Sequence, residues 1–305
     1  MPDNIYRKQV ELLLRILPSI MREEVFVLKG GTAINFFWRD YPRLSVDIDL
    51  AYIKIQQRDL SLLDISNRLE SIKVRLERFF PGINIEFKKE QNKGLAYALI
   101  IRYEDATVKV EVNTVMRGNV YPTTDKKLCN NAEKEFELSV TTKTLSFEDL
   151  YAGKICAALD RQHPRDLFDI KLLFENEGLT EKIRKALIVY LISHSRPIVE
   201  VLNPGLKDIN KTFEQEFTGM TVQEVKLPDL LEVRSALIKE VKKALTGDEK
   251  KFLLSFKNRH PEWKHLNLDG INKLPAVKWK IINLARMKPE LHKKAYEKLE
   301  KYLLD

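Results

Sequence analysis

The sequence predicts an α+β protein, with an α/β first half and an all-helical second half, and three observations carry that reading. Short runs in which apolar and polar residues alternate are confined to the stretch before Val115. From Ser146 onward apolar residues recur instead at helical spacing. At 305 residues the chain is also longer than most single domains. We therefore expect two domains, residues 1–143 and 144–305, with the boundary near Thr141–Leu145.

Each element follows from its local pattern. Asn4 to Met21 reads as an amphipathic helix through Val10, Leu13, Leu14 and Leu17. Val25 to Leu28 is a short apolar strand, Lys29 to Thr32 a glycine turn, and Ala33 to Trp38 the start of a helix. A loop containing Pro42 leads to Ser45–Tyr52, where Val46, Ile48 and Leu50 take one face of a strand and Ser45, Asp47, Asp49 and Ala51 the other. Arg58 to Phe80 has helical periodicity and stops at Pro81-Gly82. Three strands follow, Ile83–Lys89, Leu95–Tyr103 and Thr107–Val115. The second half opens with helices over Ser146–Arg161, Arg165–Asn176 and Thr180–Ser193. Ser146 and Asp149 have the spacing of a capping box, and Pro164 suits the first turn of the next helix.

Composition excludes several classes. Hydrophobic residues at 44% and charged residues at 31% describe an ordinary globular chain rather than a disordered one. Cys129 and Cys156 have neither metal-ligand spacing nor the number for a disulfide framework, which suits a reducing compartment. Met1 to Val10 lacks the apolar core of a signal peptide, and no apolar run is long enough for a membrane span. A cytoplasmic protein with no membrane partner is expected. The net charge is +8, and residues 250–305, with fourteen Lys or Arg against six Asp or Glu, account for all of it. That tail either contacts a polyanion through its phosphates or is a solvated helical surface.

The chemistry gathers around one strand. Asp47 and Asp49, at i and i+2, point the same way and can share a cation. A hard divalent ion needs further oxygen ligands, and Glu111, between Val110 and Val112 on a later strand, is the candidate, with plain solvent exposure as the alternative. Gly30 and Gly31 follow a strand and open a helix, where bare amides can hold phosphate oxygens or where the pair simply makes a tight turn needing positive φ. Thr32 adds a hydroxyl and Lys29 a charge. The spacing matches neither a P-loop nor a dinucleotide fingerprint. Lys154 and Arg161 interrupt a core-directed helical face, so Lys154 either meets an anion such as a nucleotide phosphate, or reaches solvent, or pairs with Asp166. Arg165 can pair with Asp169 at i+4. His163, before Pro164, reads as a cap or a surface residue. Trp263 and Trp279 either stack on bases or pack between helices.

Leu28-Lys29-Gly30-Gly31-Thr32 followed by Ser45-Val46-Asp47-Ile48-Asp49 resembles the first motif of the DNA polymerase β-like nucleotidyltransferases, and specifically their AbiEii/AbiGii toxin branch. Leu150-Tyr151-Ala152-Gly153-Lys154-Ile155, Arg161 to Asp169 and Leu274 to Lys280 resemble that branch's later motifs, so the likeness runs from about residue 25 to 285. It implies a polymerase β-like nucleotidyltransferase domain with a mixed sheet flanked by helices, followed by an α-helical domain that completes the nucleotide site. It further implies two Mg2+ ions, or Mn2+, on Asp47, Asp49 and Glu111, and an NTP substrate. The NTP phosphates would lie against Lys29, Gly30, Gly31, Thr32 and Ser45, with Arg161 and Arg165 as further cations and Lys154 and Asp166 in the catalytic set. The implied acceptor is tRNA or another RNA, and the implied role a toxin of a toxin-antitoxin or abortive-infection pair with a cognate antitoxin. An enzyme modifying a small molecule such as an antibiotic, and a non-catalytic nucleotide-binding module, are the alternatives.

Overall fold

The computed structural model describes residues 4–305, so residues 1–3 of the expected N-terminal domain lie outside it. The described residues form two compact units, one made of those up to Leu150 together with Phe217–Glu224, the other of Tyr151–Glu216 and Val225–Asp305.

The first unit is built on a seven-stranded mixed sheet. Its elements are α1 (Asn4–Ile20), β1 (Phe26–Lys29), α2 (Gly30–Ala33) running into a π-helical turn over Ile34–Trp38, β2 (Asp47–Tyr52), α3 (Arg58–Phe79), β3 (Asn84–Lys89), β4 (Ala96–Tyr103), β5 (Ala106–Asn113), β6 (Thr124–Lys127), α4 (Asn130–Phe136) and β7 (Thr141–Thr144). The strand order is β3-β4-β5-β2-β1-β7-β6. β2 runs parallel to β5 and β1 parallel to β7, while the other neighbours are antiparallel. Thr141–Thr144, where the sequence placed the domain boundary, is thus a strand of the sheet.

One face of the sheet is apolar. Ile48, Leu50, Leu99, Ile101, Val108 and Val110 are fully buried there, and α1 packs on β5 while α3 packs on β4 and α1. Burying such side chains stabilises by about 1.5–3 kcal/mol each, which fixes the register, because a slip of one residue would turn all of them outward. The opposite face is left for polar groups.

The second unit is helical. After α5 (Phe147–Arg161), whose last turns belong to it, come α6 (Pro164–Asn176), α7 (Glu181–Ser193), α8 (Ile198–Leu202), α9 (Asn210–Glu216), α10 (Leu227–Ala244), α11 (Gly247–Lys257), α12 (Pro275–Arg286) and α13 (Pro289–Leu304). α6 packs against α10 and α7 against α11 and α12. The core includes Leu167, Ile170, Leu187, Leu191, Leu237, Phe252 and Phe256. In the expected capping box the Asp149 amide donates to Ser146 Oγ at 3.0 Å, and the Asp149 carboxylate also accepts from the Val120 and Tyr121 amides. Among the described residues no helix is long and apolar enough to cross a membrane.

Candidate active site

Register places the predicted residues in rows across the strands. Lys29 on β1 lies opposite Asp49 on β2, which lies beside Glu111 on β5, and one row along Asp47 lies beside Lys109. Register partners share a face and successive residues alternate, so these five side chains project from the face opposite the apolar one. The three carboxylates are each half-buried.

The sequence reading did not include Lys109, which lies two residues before Glu111 on β5 and so shares its face. Its ammonium bonds the Glu111 carboxylate. Burial disfavours its charge, but Glu111 first, then Asp47 and Asp49, more than offset this and raise its pKa. Among the described residues no three His, Cys, Asp or Glu side chains are gathered closely enough to share an ion. Asp47, Asp49 and Glu111 share one face of the sheet, with Glu111 bonded to Lys109 rather than gathered with the two aspartates. The donor set, three carboxylates, suits a hard divalent cation in kind.

The glycines have a steric reason. Gly30 sits at φ +75°, and a Cβ there would lie 2.3 Å from Asp49 Oδ2, so the Asp49 carboxylate rests directly against the backbone of the turn. A Cβ on Gly31 would come 2.9 Å from both Arg43 Nη2 and Ser45 Oγ. The helix begins at Gly30 itself, three residues earlier than the sequence suggests. Asn35 Nδ2 donates to the Gly31 carbonyl at 2.9 Å.

Thr32 has a different role from the phosphate contact that the motif implies. Its buried hydroxyl donates to the Asp47 carbonyl at 2.6 Å and is bonded to Ser45 Oγ at 3.0 Å, so it ties the start of β2 to the glycine turn. Arg43, another residue the sequence did not reveal, is 2% exposed and donates to the Leu44 carbonyl at 2.7 Å. The Arg43 segment is held from outside by Phe217–Glu224: Leu44 donates to Met220, Val222 donates to Pro42, and Arg43 bridges Thr221.

The helical unit carries the second group of predicted residues. Lys154 Nζ lies 2.8 Å from Asp166 Oδ1 and 2.9 Å from Asp169 Oδ2, with all three side chains buried. Of the fates that the helical pattern left open for Lys154, pairing with Asp166 is the one found. Arg161 grips the same carboxylate with two bonds, Nε to Oδ2 at 2.5 Å and Nη2 to Oδ1 at 3.0 Å, and its side chain is 62% exposed. Burial would raise the Asp166 pKa, but Lys154 and Arg161 together hold it well below the usual carboxylate range. Asp169 pairs with Lys154, whereas Arg165 is turned toward Glu216 at 3.9 Å, so the expected Arg165–Asp169 pairing gives way to these. His163 is a cap, as one of its two readings had it, accepting from the Arg165 amide at 3.1 Å. Its other ring nitrogen meets Glu216, yet burial outweighs that carboxylate and lowers the imidazole pKa.

A family model described as the nucleotidyl transferase AbiEii toxin of a type IV toxin-antitoxin system matches residues 11–281. Among solved structures the chain is similar to MenT4, a nucleotidyltransferase toxin from Mycobacterium tuberculosis H37Rv, at 14% identity and a TM-score of 0.59, over 92% of this chain and 93% of that one. That likeness establishes a shared fold. No curated protein matches the sequence.

Proposed function

The chain belongs to the AbiEii nucleotidyltransferase toxin family, whose toxins act in type IV toxin-antitoxin pairs with a cognate antitoxin, and from that premise we propose that it transfers an NMP from an NTP to a hydroxyl of tRNA or another cytoplasmic RNA, with release of pyrophosphate. One observation carries the proposal: Asp47 and Asp49 stand on the polar face of the sheet with Glu111 in register, and Asp49 presses on a glycine turn whose amides suit phosphate oxygens.

Asp47, Asp49 and Glu111 are the residues that would hold divalent metal, Mg2+ or Mn2+ and two ions at full loading, which would acidify the acceptor hydroxyl and neutralise the triphosphate. For Glu111 to take part, Lys109 must release it. Asp49 or Glu111 then accepts the proton leaving the acceptor hydroxyl. Lys29, Gly30, Gly31 and Ser45 bind the triphosphate, and Thr32 keeps Ser45 and Asp47 in place for it. Arg161, anchored on Asp166 and exposed, offers a pre-oriented guanidinium to phosphate charge, with Arg165 beside it in sequence. Lys154 keeps Asp166 ionised and so sets the aim of Arg161.

The test is incubation with each α-labelled NTP, magnesium and total RNA, repeated with Asp49→Ala. Label on RNA that the variant cannot add supports the proposal. Label confined to a small-molecule acceptor, with RNA unlabelled by every NTP, sinks it.

A further inference from the structure

Three tryptophans occur in the chain, and two are committed to packing. Trp38 lies against Phe147 and under the Lys126 ammonium, and Trp263 against Phe252 and Phe256. Trp279, on α12, is 55% exposed. It is not there to bury the helix. The inner side of α12 does that through Ala276, Val277 and Leu284, aided by Lys280, which donates to the His194 and Arg196 carbonyls at 2.6 and 3.1 Å.

The outer side has one sign of charge. From Gly270 to Pro289 the sequence has five Lys or Arg and no Asp or Glu. Lys273, Lys278, Arg286 and Lys288 are exposed, and among the described residues none of the four is in an ion pair. Other exposed lysines among the described residues also lack a carboxylate partner, and what sets this stretch apart is that it carries no acidic residue at all beside its exposed indole. An exposed indole among unpaired cations is the composition of a single-stranded nucleic-acid platform, where bases stack on the ring and phosphates meet the charges.

We infer that the outer face of α12, with Trp279 as stacking platform and Lys278 and Arg286 as phosphate contacts, flanked in sequence by Lys273 and Lys288, is a docking surface for an unpaired segment of RNA. The inference rests on the RNA reading above and adds where the nucleic acid is held. A lipid surface fits less well: only Trp279 and Ile282 are large exposed apolar side chains on this helix, and interfacial helices present a continuous apolar face to the bilayer.

The experiment titrates fluorescein-labelled total tRNA into the full-length protein across a salt series, with Trp279→Ala, Trp279→Phe and the Lys278→Glu/Arg286→Glu double variant beside the wild type. Binding of phosphatidylglycerol vesicles is measured in parallel, and so is RNA labelling by the wild type. Stacking of one base is worth about 1–3 kcal/mol, or roughly 5- to 150-fold in Kd. Trp279→Ala should lose that much while Trp279→Phe keeps most of it, and the double variant should reduce the salt slope by about two. Trp279 emission should be quenched by RNA in the wild type. Unchanged affinity and slope in these variants overturn the inference even if the wild type labels RNA, and loss of vesicle binding in place of RNA binding overturns it as well. Weakened RNA binding in Trp279→Ala, beside a wild type that labels only small acceptors, supports the docking surface and removes the RNA-transfer reading instead.

Discussion

The two charged clusters, one on the sheet and one in the helical unit, use the same residue types to opposite ends. Asp47, Asp49 and Glu111 are half-buried on a polar face and balanced by cations that share the face. Asp166 and Asp169 are sealed away, each bonded to Lys154. Carboxylates within reach of water can exchange one cation for another, whereas a buried pair is fixed, because removing either member strands the other in low dielectric. Under the proposed function the first cluster works and the second holds.

Asp49→Ala is the strongest way to break that contrast. It should lower transfer at least 10³-fold, equivalent to about 4 kcal/mol of barrier, and leave the melting temperature nearly unchanged. An unfolded Asp49→Ala protein would mean that the sheet cluster is structural too. Asp166→Ala should do the reverse, costing about 3–5 kcal/mol in chemical denaturation by leaving Lys154 short of a partner. Stability within 1 kcal/mol of wild type would remove the distinction from the other side. Gly30→Ala belongs between them, since a Cβ forces Asp49 aside and strains a left-handed backbone. About 1–3 kcal/mol of stability should go with it, together with most of the activity, read by melting and by labelling on the same sample.

Acid sharpens the comparison further. The folded pKa of Asp166 is depressed below its ordinary 3.8, so its stabilisation is complete above that value and fades as pH falls through the range between the two. Unfolding free energies of the wild type from urea titrations should drop below about pH 4 with a slope approaching 1.4 kcal/mol per pH unit for this proton, and Asp166→Asn should flatten that part of the curve. The smallest effect is expected at Lys109→Met, which takes away a cation that competes for Glu111. Calorimetric titration with Mn2+ should show binding tightened by a few-fold, and weaker binding would show that Lys109 assists the ion.

Much of this was legible in the sequence because it depends on periodicity. The alternation in 45–52 and 107–115 located β2 and β5, and with them the faces of Asp47, Asp49 and Glu111. The strands that escaped, β6 with Thr-Asp-Lys-Lys and β7 with Thr-Thr-Lys-Thr, are four residues each and almost wholly polar, so they carry no apolar alternation. Packing partners were equally hidden. Nothing in the local pattern says that Thr32 binds the Asp47 carbonyl, or that Arg43 is buried beside a segment 178 residues further on. Lys109 is a different kind of omission, since it lies two residues before Glu111 on the same strand and so shares its face.

The Phe217–Glu224 strap also sets an order of events during synthesis. A ribosome that has completed Leu150 has made all of the sheet but not the piece that clasps the Arg43 loop, which comes about 70 residues later. At the usual elongation rate of about 5–20 residues per second, that is a delay of roughly 4–15 s. Throughout it the nascent chain has its acidic strand but no clasp on the loop leading into it, and a fragment ending at Leu150 would stay in that state for good.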